Sequence, residues 1–232
     1  EWGYQIDRTH AHATNRLTWM NNLLTDSKAK QTPLSWPDLG PHLAPLDPVR
    51  LRETAVSFPW RTSTGCDRHP RQYAGVSDTA LQWLAICYML AEGTMQIPTP
   101  VQLSLFFTRP KPSGGKRIVG NLPSFYRIYT RARIPLVRTW DASLDCPFYS
   151  AGTGRGSFDA VYDASMADAV AARKSLFTVT SLADIKKCFE RVNHQRIVDR
   201  SAEVGFPLRI LGVILAMYRA ARCIVVNMAC AG

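Results

Sequence analysis

Val179-Thr-Ser-Leu-Ala-Asp184-Ile-Lys-Lys-Cys-Phe189-Glu-Arg-Val-Asn-His194 is the stretch on which the fold reading turns. Phe177, Val179 and Leu182 flank small residues in the manner of a mostly buried strand, and a helical pattern begins after Asp184. The spacing predicts a strand that ends on a carboxylate. An acid at such a strand end can face a cleft and, as a hard oxygen ligand, hold a divalent cation; two-metal phosphoryl transfer then needs at least one partner carboxylate. Asp184 also suits a helix N-cap, with Ile185-Lys-Lys-Cys-Phe as the first turn. The residues alone leave both readings open.

Working outward, the segment from Gly93 to Trp140 contains no Asp or Glu, yet carries Arg109, Lys111, Lys116, Arg117, Arg127, Arg131, Arg133 and Arg138. Without those eight, the 28 Lys and Arg of the chain fall to 20 against 18 acidic residues, so nearly all of the net charge of +10 resides there. Val101 to Phe107 and Arg117 to Gly120 read as two strands around a tip at Ser113-Gly114-Gly115, where glycine permits positive φ. A basic hairpin beside Phe125, Tyr126 and Tyr129 suits closure over a polyanion, because Lys and Arg displace counterions from phosphates and Arg clamps them in a bidentate manner. A solvated surface hairpin has the same composition.

Elsewhere the pattern is helical. Ser77 or Asp78 caps a predicted helix through Glu92, with Leu81, Leu84, Ala85, Tyr88 and Met89 on one face, Trp83, Ile86 and Leu90 on another, and Gly93 at its end; it is expected to be buried on most sides. A second helix is predicted from about Ser157 to Arg173 with Phe158, Val161, Tyr162 and Ala169 inward. Asn193 caps a third that Gly205 terminates, Leu208 to Ala220 forms a fourth, and Arg222 to Met228 forms a closing strand. Leu17 to Leu24 has helical spacing, whereas the prolines at 33, 37, 41, 45, 48 and 59 suggest an extended arm or linker. Helices, then strands mixed with helices, indicate an α+β fold.

At 232 residues, 46% hydrophobic and 20% charged, the chain can bury a sizeable core as one large or two small domains. Its six cysteines show neither Cys-x-x-Cys pairing nor a matching histidine spacing, so reduced thiols are expected rather than zinc or a disulfide framework. The longest apolar stretch, Ile210 to Tyr218, is far short of the roughly 20 residues of a membrane span, and no leader-like apolar run opens the sequence. An intracellular, soluble protein with no membrane association and a nucleic-acid partner is expected, nuclear or organellar location not being distinguishable.

Five fragments carry a resemblance: Thr64-Gly65-Cys66-Asp67 with His69-Pro70-Arg71; Arg109-Pro-Lys111-Pro-Ser-Gly-Gly-Lys116-Arg117-Ile; Leu122-Pro-Ser-Phe-Tyr126-Arg127; Gly152-Thr-Gly-Arg155-Gly-Ser-Phe-Asp159; and Asp184, Lys186, Lys187, Phe189, Glu190, Val192, Asn193 and His194. In that order they resemble the reverse transcriptase domains of non-LTR retrotransposons and group II introns, over roughly residues 61 to 232. The resemblance implies the fingers and partial palm of a right-hand polymerase: an arm or linker at 1–60, a fingers-like region at 61–175 and palm from 176 to 232. It implies Mg²⁺ held by Asp184 and the Ile185 carbonyl, with Asp184 catalytic. Lys111 and Arg117 would contact the triphosphate of a deoxynucleotide, and Phe189 would exclude a ribose 2′-hydroxyl, although as a residue type it also fits an ordinary core aromatic. Arg109, Lys116, Arg127 and Arg131 would contact an RNA template and DNA primer.

The chain departs from the family in lacking any Asp-Asp dipeptide, the pair that completes the metal site in such enzymes. It is therefore expected to be the amino-terminal part of an RNA-directed DNA polymerase domain, inactive alone. The alternative is a non-catalytic RNA-binding component of a ribonucleoprotein derived from such an enzyme.

Overall fold

The computed structural model describes residues 32–110, 112, 116–144, 156–179, 192–226 and 229–231. They form a mixed α+β arrangement in two compact units: the residues up to Arg133 with those from Pro207 onward, and Ile134–Phe206.

The first unit begins with helix α1, Pro48–Val56. Pro48 opens it, where a missing N–H costs nothing, and Asp47 Oδ1 accepts from the Val49 N–H at 3.0 Å. Leu51 and Ala55, one turn apart, are fully buried, and Leu46 and Phe58 join them. The proline-rich stretch is thus not wholly an extended arm. Its prolines bracket a helix that belongs to the core, because a proline at the first turn starts a helix rather than breaking it.

Helix α2, Asp78–Thr94, is capped by the Ser77 side chain, which accepts from the Ala80 N–H. Leu81, Ala85, Tyr88 and Ala91 step by four and three and are buried. Trp83, Ile86, Met89 and Leu90 are exposed, so α2 packs on one face and not, as its composition predicts, on most sides. Gly93 lies inside the helix. The turn out is made by Met95 at φ 53°, whose side chain rests on Gly212, where a Cβ would come within 2.5 Å of Met95 Cγ.

The predicted hairpin is present as β1, Leu103–Pro110, antiparallel to β2, Lys116–Asn121. β3, Ala221–Val226, runs parallel to β1 on its other side, and the three-residue β4, Ala229–Ala231, is antiparallel to β3, giving a small mixed sheet in the order β2-β1-β3-β4. Phe106 stands opposite Gly120, and a Cβ on that glycine would fall 2.9 Å from the Phe106 ring. The aromatic covers the space that the glycine leaves.

Helix α3, Ser124–Ser143, belongs to this unit up to Arg133. Its Phe125, Ile128, Tyr129 and Ala132 pack in the same core as α1, α2 and Val213 and Met217 of α6, Leu208–Tyr218. Tyr88 lies 4.6 Å from the Phe125 ring and 5.3 Å from the Tyr129 ring, and its hydroxyl donates to the Phe125 carbonyl at 2.8 Å. One ion pair is buried here. Arg133 donates to Glu92 from Nε at 2.6 Å and from a terminal nitrogen at 2.8 Å, the Tyr129 hydroxyl donates to Glu92 at 3.0 Å, and Arg133 also reaches the Ala44 carbonyl at 2.9 Å. Its charges are satisfied internally, as burial requires.

In the second unit, α4 spans Ser157–Arg173 as predicted, and the Asp159 carboxylate accepts from the Gly156 N–H at 2.7 Å. Its expected inward face is corrected: Phe158 is 89% exposed, Val161, Tyr162 and Ala169 are exposed, and the helix buries no residue. α5, His194–Glu203, has the predicted cap, Asn193 Oδ1 accepting from the Gln195 N–H at 2.9 Å, and Gly205 leaves it at φ 66°. Trp140 donates to the Val204 carbonyl and meets the Phe206 ring edge-on at 4.7 Å. Phe177 and Val179, predicted to lie in a buried strand, are 100% and 94% exposed and belong to no strand. An apolar alternation forms a strand only when a neighbour takes its backbone groups, and no described strand does so here. Among the described residues, no helix is long and apolar enough to cross a membrane.

Candidate nucleic-acid interface

The strand register decides how the basic stretch is arranged. Arg109 faces Arg117 across the β1–β2 ladder, and Pro110 faces Lys116. Directly opposed like charges destabilise a strand pair. They sit at the tip end of both strands, and Arg109 is exposed. Two strands on, Arg222 of β3 lies with its guanidinium 5.6 Å from the Phe106 ring and donates to the Tyr218 carbonyl. The hairpin thus gathers cations within a stretch of sequence that holds no acidic residue.

The Thr-Gly-x-Asp motif has a structural role at the start of α3. Asp67 accepts from the Ser124 N–H at 2.7 Å and the Phe125 N–H at 2.9 Å, satisfying two of the donors that a helix start leaves unpaired. The Tyr73 hydroxyl also donates to Asp67; burial, then the nearby carboxylate, pushes this phenol well above its ordinary value, so it remains a donor. Asn121 ties the same loop down, donating to the Thr64 carbonyl at 3.3 Å and bonding Ser63 Oγ at 3.1 Å. Gly65 is required by close approach: a Cβ there would lie 2.6 Å from the Leu122 carbonyl oxygen. Cys66 beside it is exposed at the surface; partial desolvation of its thiol, then Asp67, raises its pKa.

Arg127 and Arg131 stand one turn apart on α3, with guanidiniums 5.2 Å and 3.8 Å from the Phe58 ring. Arg127 donates to the Ser63 carbonyl at 2.6 Å and Arg131 to Ser57 Oγ at 3.0 Å. Both are half-buried, and burial, then the adjacent Arg131, lowers the pKa of Arg127. Each has five N–H donors, so one protein partner leaves others to meet a phosphate. Arg133 differs, being committed to Glu92.

Lys116 and Arg117 occupy the β2 positions given by the register; their side chains, like Lys111, lie outside the described residues. So do Asp184, Ile185, Phe189 and the Gly152–Arg155 fragment. Among the described residues, no three His, Cys, Asp or Glu side chains come together to hold a metal ion. The sequence reading missed Arg222, whose approach to Phe106 depends on the β1–β3 pairing, and Trp60, over whose ring Arg71 lies at 4.0 Å. A tryptophan among arginines just before the Thr-Gly-x-Asp motif was the available signal for the second.

No family model and no curated protein matches the chain.

Proposed function

We propose that this chain is the nucleic-acid-gripping, amino-terminal part of an RNA-directed DNA polymerase domain. The observation that carries the reading is the β1–β2 ladder with Arg109 opposite Arg117 and Pro110 opposite Lys116, in a stretch without acidic residues. Such a pairing is unfavourable in isolation and becomes favourable against phosphates.

In this reading Lys111 and Arg117 hold a deoxynucleotide triphosphate, while Arg109, Lys116, Arg127 and Arg131 contact the backbones of an RNA template and DNA primer. Phe189 selects against ribonucleotides. Asp184 and the Ile185 carbonyl are the residues that would hold Mg²⁺, whose chemistry, when bound, is to neutralise negative charge on the triphosphate. The chain's own cations bind and orient the phosphates.

The test is binding of the full chain to a fluorescent RNA–DNA primer–template, followed by anisotropy over a salt titration. The reading expects log affinity to fall linearly with log salt. Arg109→Ala with Lys116→Ala should reduce the slope by about 1.4–1.8, at about 0.7–0.9 per phosphate contact. Binding without salt dependence would remove the reading. Salt-sensitive binding by a longer protein containing this chain, with Mg²⁺-dependent primer extension abolished in Asp184→Ala, supports the polymerase. The same binding with no extension favours the non-catalytic RNA-binding component.

A further inference from the structure

A second surface of the first unit presents a large exposed aromatic, Trp60. Trp60 is 77% exposed, so at least one face of its indole is open to solvent. It is nevertheless held in place. Thr62 N–H donates to the Pro59 carbonyl at 3.0 Å, closing a turn around it, and the Arg71 guanidinium lies 4.0 Å from its ring centroid. Arg71 is itself pinned by a 2.9 Å bond to the Phe58 carbonyl, and the His69 ring runs nearly parallel to the indole, 18° apart at 6.5 Å. A large aromatic that is both fixed and exposed has no packing role on its open side.

The surroundings are cationic. Arg61 and Arg68 are exposed, and the Phe58 carbonyl that fixes Arg71 belongs to the residue whose ring carries Arg127 and Arg131. Asp67, the sole acid between Pro59 and Gly75, has its oxygens turned to Ser124, Phe125 and Tyr73. An exposed indole with Arg71 on its ring, in a segment rich in arginine, matches the chemistry of a nucleotide whose base is free to stack and whose phosphates need cations.

We propose that Trp60 is a stacking platform for an unpaired base of single-stranded RNA, with the neighbouring arginines on its phosphates. A duplex keeps its bases stacked on one another and offers none to the indole. The choice of RNA as the strand rests on the reading of the hairpin as part of an RNA-templated enzyme; the platform rests on Trp60 and its setting.

The experiment uses the full chain and fluorescent RNA of about 12 nucleotides, within the range that single-strand sites cover, alongside blunt RNA duplex and a deoxy strand of the same sequence. Trp60→Ala should weaken single-stranded RNA binding by about 5- to 150-fold, the equivalent of about 1–3 kcal/mol of base stacking. It should leave the salt slope and duplex binding unchanged, since no phosphate contact is removed. Trp60→Phe should retain most of the affinity. If Trp60→Ala binds single-stranded RNA as the wild type does while wild-type binding stays salt-sensitive, the platform is wrong and the hairpin reading survives. If the effect is confined to the deoxy strand, RNA is the wrong occupant. If the wild type binds no strand, both proposals fall.

Discussion

Helices α2 and α4 have the same length, 17 residues, and comparable apolar content, yet they live in different environments. α2 buries Leu81, Ala85, Tyr88, Ala91 and even Glu92, whose charge is met by Arg133. α4 carries Phe158, Val161, Tyr162, Met166 and Val170 and buries none. The difference lies in partners rather than in intrinsic propensity. A helix of this length is marginal in water, and most of its stability comes from the face it packs. α2 is thus part of a cooperative core, and α4 is expected to open independently of it.

The largest test of this contrast is at Glu92. Replacing it with Ala leaves Arg133 buried and unpaired, and a loss of about 3–5 kcal/mol is expected in urea unfolding; joint replacement by Glu92→Leu and Arg133→Met should recover much of it. Next, Leu81→Ala should cost about 2–5 kcal/mol, while Phe158→Ala should stay within about 0.5 kcal/mol. Amide exchange should show the same order, with α4 exchanging well before α2. An equal cost at the two positions would break the comparison and show that α4 is packed.

Smaller effects sharpen the boundary of the core. Gly65→Ala forces a Cβ against the Leu122 carbonyl and should lower stability by about 1–3 kcal/mol, measured by the unfolding midpoint. The least effect is expected at Cys66. With its pKa raised, less thiolate is present at neutral pH, so alkylation should be slower than for a cysteine in the unfolded chain and should accelerate only at higher pH. Asp67→Asn, which removes one cause of the rise, should move that profile to lower pH.

Local chemistry was read correctly at four signals that lay within one turn or one hairpin. Ser77 caps α2, Asn193 caps α5, Gly205 leaves it, and the glycine-flanked basic stretch pairs as a hairpin. Position within the tertiary structure was less legible. α1 was hidden among prolines although Asp47-Pro48 is a helix start, and Gly93 was given a role that Met95 performs. The expected inward face of α4 and the expected strand at Phe177 and Val179 followed from apolar spacing, which records what a segment could bury and not whether anything covers it. The candidate site divides in the same way. The hairpin cations follow from a contiguous stretch, whereas the partners of Arg127 and Arg131, Ser63 and Ser57, lie 64 and 74 positions away.

The Asp67 cap has a mechanical consequence. Its bonds to Ser124 and Phe125 join points 57 and 58 positions apart, and Asn121 adds a second tie to the same loop. The intervening chain, with α2 and the β1–β2 arm, starts and returns at this one carboxylate. Lengthening or trimming the arm at its tip leaves that junction untouched, whereas Asp67→Ala would unpair two N–H groups at the start of α3 and loosen the loop before α2, while the buried Glu92–Arg133 pair still joins α2 to α3.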